Sequence, residues 1–183
     1  MSVGAVGTGR PVVLRQSGAV LVPVAVWVFC GLGVADAVIE GTPGYALRTT
    51  VLLSAIAWAT WLVLASPCLV VEGSGLRVVN PLRVHWIPFA ALDSVGVRGL
   101  TTLTARHASG RTRQITSWNA PGVPRRYAAT TTPVAEVIER FRSSWERTAG
   151  RGQSEATVTT SWRWRPCLAL VALVAASTGM WFR

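Results

Sequence analysis

A chain of 183 residues has room for one ordinary domain with additions. Half of its residues are apolar, only 14% are charged, nine are tryptophan and mean hydropathy is +0.40, which argues against a single water-exposed globule and for membrane segments. The net charge of +10 comes from 18 basic residues, all arginine, against 8 acidic ones. The arginines gather between apolar runs rather than on a recognition element, so the positive-inside rule accounts for them and no nucleic acid is expected as a partner.

In chain order, residues 1–18 form an N-terminal segment carrying Arg10 and Arg15. From Ala19 to Val38 the run AVLVPVAVWVFCGLGVADAV is long enough at helical rise for about 30 Å of hydrocarbon. It exceeds a secretion-signal core and ends in VIEGTPG, which offers no small-residue cleavage motif. Asp36 lies close enough to its end to reach an interface. Gly41, Pro43 and Gly44 mark a turn, and a second run, TVLLSAIAWATWLVLASPCLV, extends from Thr50 to Val70. Residues 19–70 therefore read as a transmembrane hairpin. Cys30, Cys68 and Cys167 are scattered over the apolar segments and fit neither a disulfide framework nor a zinc cluster; structural thiols are expected.

Residues 71–150 read as a separate domain. CLVVE, LRVVN, RVHWIPF, VGVRG, LTTLTARH and RTRQITSW have the alternation and punctuation of short antiparallel strands, the last two joined by a turn at Ser109 and Gly110. The loop NAPGVPRRYAATT leads to a helix capped by Thr132, with Pro133 in its first turn. Val134, Val137, Ile138, Phe141 and Trp145 fall on one face of that helix and require a cover, most simply the sheet. Residues 151–161 read as a linker and 162–182 as a third span edged by Trp162, Trp164 and Trp181. Counting flanking arginines puts the N-terminus and the middle domain in the cytoplasm and the C-terminus outside.

The stretch GLRVVNPLRVHWIPFAALDSVGV, Gly75 to Val97, resembles the bacterial PH-like domain of actinobacterial membrane proteins. In that family a membrane hairpin runs into a strand with an N-x-[LFR] end, a basic strand and an I-P-W-x-x-I signature. Here the signature is Ile87, Pro88, Phe89 and Leu92, with Phe89 standing where tryptophan is common. The resemblance covers residues 68–148. It implies a small antiparallel barrel or split sheet capped by a C-terminal helix, in a multi-pass protein of the bacterial cell membrane. It implies no enzyme activity, and fold alone supplies none.

Arg77, Arg83, Arg125 and Arg126 are the candidate contact residues, for an anionic lipid headgroup or for a protein partner. The wider set of Arg98, Arg111 and Arg113 shares the sheet, where alternating strands ordinarily expose such side chains to solvent. His85 and His107 belong to no local metal motif, and no Walker loop, dinucleotide fingerprint, nucleophile elbow or paired-carboxylate pattern is present. No catalytic, metal or cofactor residues are therefore expected. The functional expectation is a non-enzymatic interaction or assembly module at the cytoplasmic face, partnered by the bilayer and a membrane or cytoplasmic protein. The alternative is recognition of anionic lipid headgroups.

Overall fold

The computed structural model describes residues 11–16, 18–98, 100–107, 110–118, 133–148 and 157–181. The chain divides into two compact units. One holds the described residues up to Gln16 together with Pro67–Trp162, and the other holds those up to Ser66 together with the residues after Trp162.

The helical unit contains α1 (Leu21–Glu40), α2 (Pro43–Thr60) with a π-helical turn at Trp61–Ala65, and α4 (Trp164–Trp181). All three helices are long and apolar enough to cross a membrane, with mean hydropathies of 2.1, 1.6 and 1.2. α2 packs against both α1 and α4. Two indoles fasten these contacts: Trp27 Nε1 donates to the Ala57 carbonyl at 2.9 Å, and Trp58 Nε1 donates to the Pro166 carbonyl at 3.0 Å. Arg163 adds a bond to Ser66 Oγ at 2.9 Å. Large apolar side chains such as Phe29, Leu32 and Val171 stay exposed, so each helix leaves most of its hydrophobic surface uncovered by the chain.

The second helix differs from the expected Thr50–Val70 at both ends. It starts at Pro43 because Thr42 Oγ1 accepts from the Tyr45 amide and proline suits a first turn, where its missing N–H has no helical partner. It stops before Pro67, and Cys68–Val70 belong to a strand, since proline disfavours helix in the residue before it.

In the sheet unit, β1 (Val12–Leu14), β2 (Cys68–Glu72), β3 (Gly75–Val79), β4 (Arg83–Pro88) and β8 (Thr159–Trp162) form one antiparallel sheet in the order β1-β2-β3-β4-β8. β5 (Leu92–Arg98), β6 (Leu100–Arg106) and β7 (Thr112–Ser117) form a second. Alternation sends Leu69, Val71, Leu76, Val78 and Ile87 inward from the first sheet and Leu103, Ala105 and Ile115 inward from the second, all buried in one core. α3 (Pro133–Thr148) closes that core with Val134, Ile138 and Phe141, while Trp145 sets its ring 6.1 Å from Phe89. Phe89 is buried and occupies an aromatic position in the core.

Two segments expected outside the domain contribute strands to it. Val12–Leu14, within the N-terminal segment 1–18, pairs with β2. Thr159–Trp162, divided between the expected linker 151–161 and the expected third span 162–182, pairs with β4, and Val158 just before it is buried. The reason is common to both: a sheet edge carries unpaired N–H and C=O groups, and flanking chain with apolar residues can satisfy them.

The two sheets are stitched together at Asn80. Its Nδ2 donates to the Thr116 carbonyl at 3.0 Å and its Oδ1 accepts from the Trp118 amide at 3.1 Å, so one side chain at the β3–β4 turn grips both sides of the end of β7. The neighbouring hairpin is tight as well: a Cβ at Gly75 would lie 2.5 Å from the Ile87 carbonyl oxygen, which restricts that position to glycine. Replacing Asn80 by alanine is expected to cost about 2 kcal/mol, from two lost bonds at roughly 1 kcal/mol each. Thermal unfolding of the full chain in detergent, followed by tryptophan fluorescence, should show a midpoint lower by about 5 °C.

Candidate functional site

Strand alternation separates two of the candidate arginines. Cross-strand partners define a row on the outer face of the first sheet, running Val13, Val70, Arg77, Trp86, Thr159. Arg77 there is half exposed, lies 6.0 Å over the Trp86 ring and forms a 2.9 Å ion pair with Glu72. Its charge is matched by a carboxylate on the same face.

Arg83 has the opposite parity on β4, shared with the buried His85 and Ile87. It sits at the start of the strand, directly opposite Trp162 of β8, with its guanidinium carbon 4.3 Å from the centre of the indole. Arg77 and Arg83 therefore do not share one surface. Arg125 and Arg126 lie outside the described residues.

His85 is buried, 7% exposed, and occupies the inward row Leu14, Leu69, Val78, His85, Thr160. Its Nδ1 lies 2.9 Å from Thr160 Oγ1. Burial is the main cause holding its pKa below the usual imidazole value of 6.5, and the positive charges of Arg113 and Arg83 push it the same way. The ring is neutral at pH 7. Arg113 lies on the other sheet, where it is exposed, shares the parity of Ile115 and Ser117 on β7 and faces the buried Ala105 across the ladder.

The result is a small group on the first sheet in which Arg83 stacks on Trp162 and His85 meets Thr160 across the β4–β8 ladder. The ion pairs among the described residues are Arg77–Glu72, Arg106–Asp93 and Arg142–Glu146, so neither Arg83 nor Arg113 has a carboxylate partner there. His107 is placed differently, its backbone closing the β6–β7 turn through an N–H to the Arg111 carbonyl at 3.0 Å. Among the described residues no three His, Cys, Asp or Glu side chains gather as a metal would require.

The sequence could supply the parity of each arginine but not this grouping. Thr160 carried no signal in sequence because it belongs to a segment that reads as a linker, and Trp162 read as an edge of the third span rather than as a strand residue opposite Arg83. Compared with known proteins, the chain matches no family model, no curated protein and no solved structure.

The lowered pKa of His85 fixes the sign of a pH effect. The unfolded chain takes up the proton near pH 6.5 while the folded chain resists it, so folded stability is undiminished above about pH 7.5 and declines as pH falls through the range below 6.5. Denaturant unfolding of the full chain at a series of pH values should show this decline. His85→Gln should flatten it while leaving carboxylate titrations at lower pH in place.

Proposed function

We propose that this chain is a multi-pass protein of the bacterial cell membrane that presents a PH-like domain at the cytoplasmic face as a non-enzymatic interaction or assembly module. The observation that carries this reading is covalent. Only Ser66 and Pro67 separate the end of one apolar helical segment from β2, and only Arg163 separates β8 from the next apolar helix. Two residues of extended chain span about 7 Å. A sheet unit joined in this way to spanning helices on both sides works at the bilayer surface and meets partners there.

Three further features support the reading. The helices expose apolar side chains around most of their circumference, as lipid-facing helices do. Trp162, Trp164 and Trp181 bracket the third helix in the manner of interfacial aromatic belts. The two antiparallel sheets with a following helix agree in outline with the PH-like family that the Gly75–Val97 stretch resembles.

Reporter fusions at Thr42 and Glu155 should register opposite sides of the membrane, with Glu155 cytoplasmic; two reporters on the same side would overturn the three-span arrangement. The interaction role is tested by crosslinking in intact cells followed by affinity isolation in several detergents. A partner recovered reproducibly, and lost when the sheet unit is deleted from the chain, is the expected outcome. Recovery of no reproducible partner would refute the module.

A further inference from the structure

We propose that one end of the sheet unit, carrying Leu82, Leu100, Trp118 and Trp162, is seated in the interfacial layer of a lipid bilayer. Among the described residues of that unit, the exposed large apolar side chains are these four and Val13. All but Val13 gather at one end, where the pairing registers put them. Thr101 opposite Ser117 is the last rung between β6 and β7, and Leu100 and Trp118 each lie one residue beyond it. Asn80 joins this end of the second sheet to the first, accepting from the Trp118 amide at 3.1 Å and donating to the Thr116 carbonyl at 3.0 Å. Leu82 belongs to the same turn as Asn80, closed by the Asn80 amide on the Arg83 carbonyl at 2.9 Å. The adjoining Arg83 faces Trp162 across the ladder and stacks on it at 4.3 Å. Apolar residues scattered singly over a surface need no explanation, but a group that converges from two sheets marks a contact surface.

What covers this surface follows from where the chain leaves the sheet. β2 begins at Cys68, paired with Val79 beside the Asn80 turn, and only Ser66 and Pro67 separate it from an apolar helical segment. Trp162 ends β8, and only Arg163 separates it from α4. Arg163 and Ser66, which flank the two junctions, are bonded at 2.9 Å. Both connections to helices of membrane length therefore leave from the end that carries the apolar side chains. Indole rings favour the interfacial layer, where the ring is sheltered and the N–H stays hydrated, and an arginine beside them can reach anionic headgroups. The other end of the first sheet differs, its β2–β3 turn being Glu72, Gly73 and Ser74.

The inference rests on the membrane placement proposed above and adds that the sheet unit touches lipid through its own side chains. The test reads depth with a nitroxide on single cysteines in the full chain, with Cys30, Cys68 and Cys167 replaced by alanine, reconstituted in vesicles of phosphatidylcholine and phosphatidylglycerol. Leu82→Cys, Leu100→Cys and Trp118→Cys label the proposed face. Trp118 gives Asn80 only its main-chain N–H, so that bond survives the change. Gly73→Cys labels the opposite end, where a Cβ meets nothing within 4 Å, and Val171→Cys labels an exposed position of α4.

On the proposed face, the ratio of collisions with oxygen to collisions with a water-soluble nickel chelate is expected to exceed that at position 73 severalfold, because oxygen concentrates in lipid and the chelate does not. Equal ratios on the face and at position 73, with a lipid-like ratio at position 171, would overturn the seating while leaving the spans in place. Water-like ratios at all positions, 171 included, would overturn both. Loss of access to oxygen and chelate alike on the face would assign its cover to a second copy of the chain and overturn the lipid contact.

Discussion

The pairing of β8 with β4 is the interaction on which the first sheet and the polar side chains at its end both depend. β4 is reached early, directly after β3, and its second edge waits some seventy residues until Thr159–Trp162 arrives. Without that partner, the N–H and C=O groups on one side of β4 would lie open to solvent or to another chain. The same ladder sets Trp162 opposite Arg83 and Thr160 opposite His85, so backbone pairing and side-chain chemistry are delivered by one contact. It also fixes where the chain leaves the sheet, immediately before α4.

A second constraint is the two-residue period of the strands. It divides the polar residues of one short stretch between two environments. Arg77 and Trp86 meet on the outer face, with Glu72 beside them, while Arg83 and His85 turn toward the gap between the sheets. Asn80, between these strands, spends its amide on the main chain of β7 and so holds the second sheet, and Arg113 with it, in register with the first. The asparagine that follows β3 thus has a mechanical role, because a single side chain carrying both a donor and an acceptor can tie two backbone groups.

The helical unit follows a different logic. Its contacts are few and specific: two indole N–H groups satisfied by carbonyls of neighbouring helices, and an arginine at the start of α4 bonded to the serine that ends the π-helical turn. These directed bonds orient α2 against α1 and α4. Most of the apolar surface of the three helices is left uncovered by the chain.

By itself the sequence determined the three apolar helices, the strand order along the chain and the helix with its buried stripe at Val134, Ile138 and Phe141, because periodicity, hydropathy and turn residues are local signals. It misplaced the limits of the second helix, where Thr42 and Pro67 act as local punctuation inside or beside a long apolar run. What only the tertiary structure decided was the recruitment of Val12–Leu14 and Thr159–Trp162 as edge strands, and with the latter the stacking of Trp162 on Arg83 and the pairing of Thr160 with His85. Short polar segments such as TTSW gain their conformation from a waiting sheet edge rather than from their own propensity.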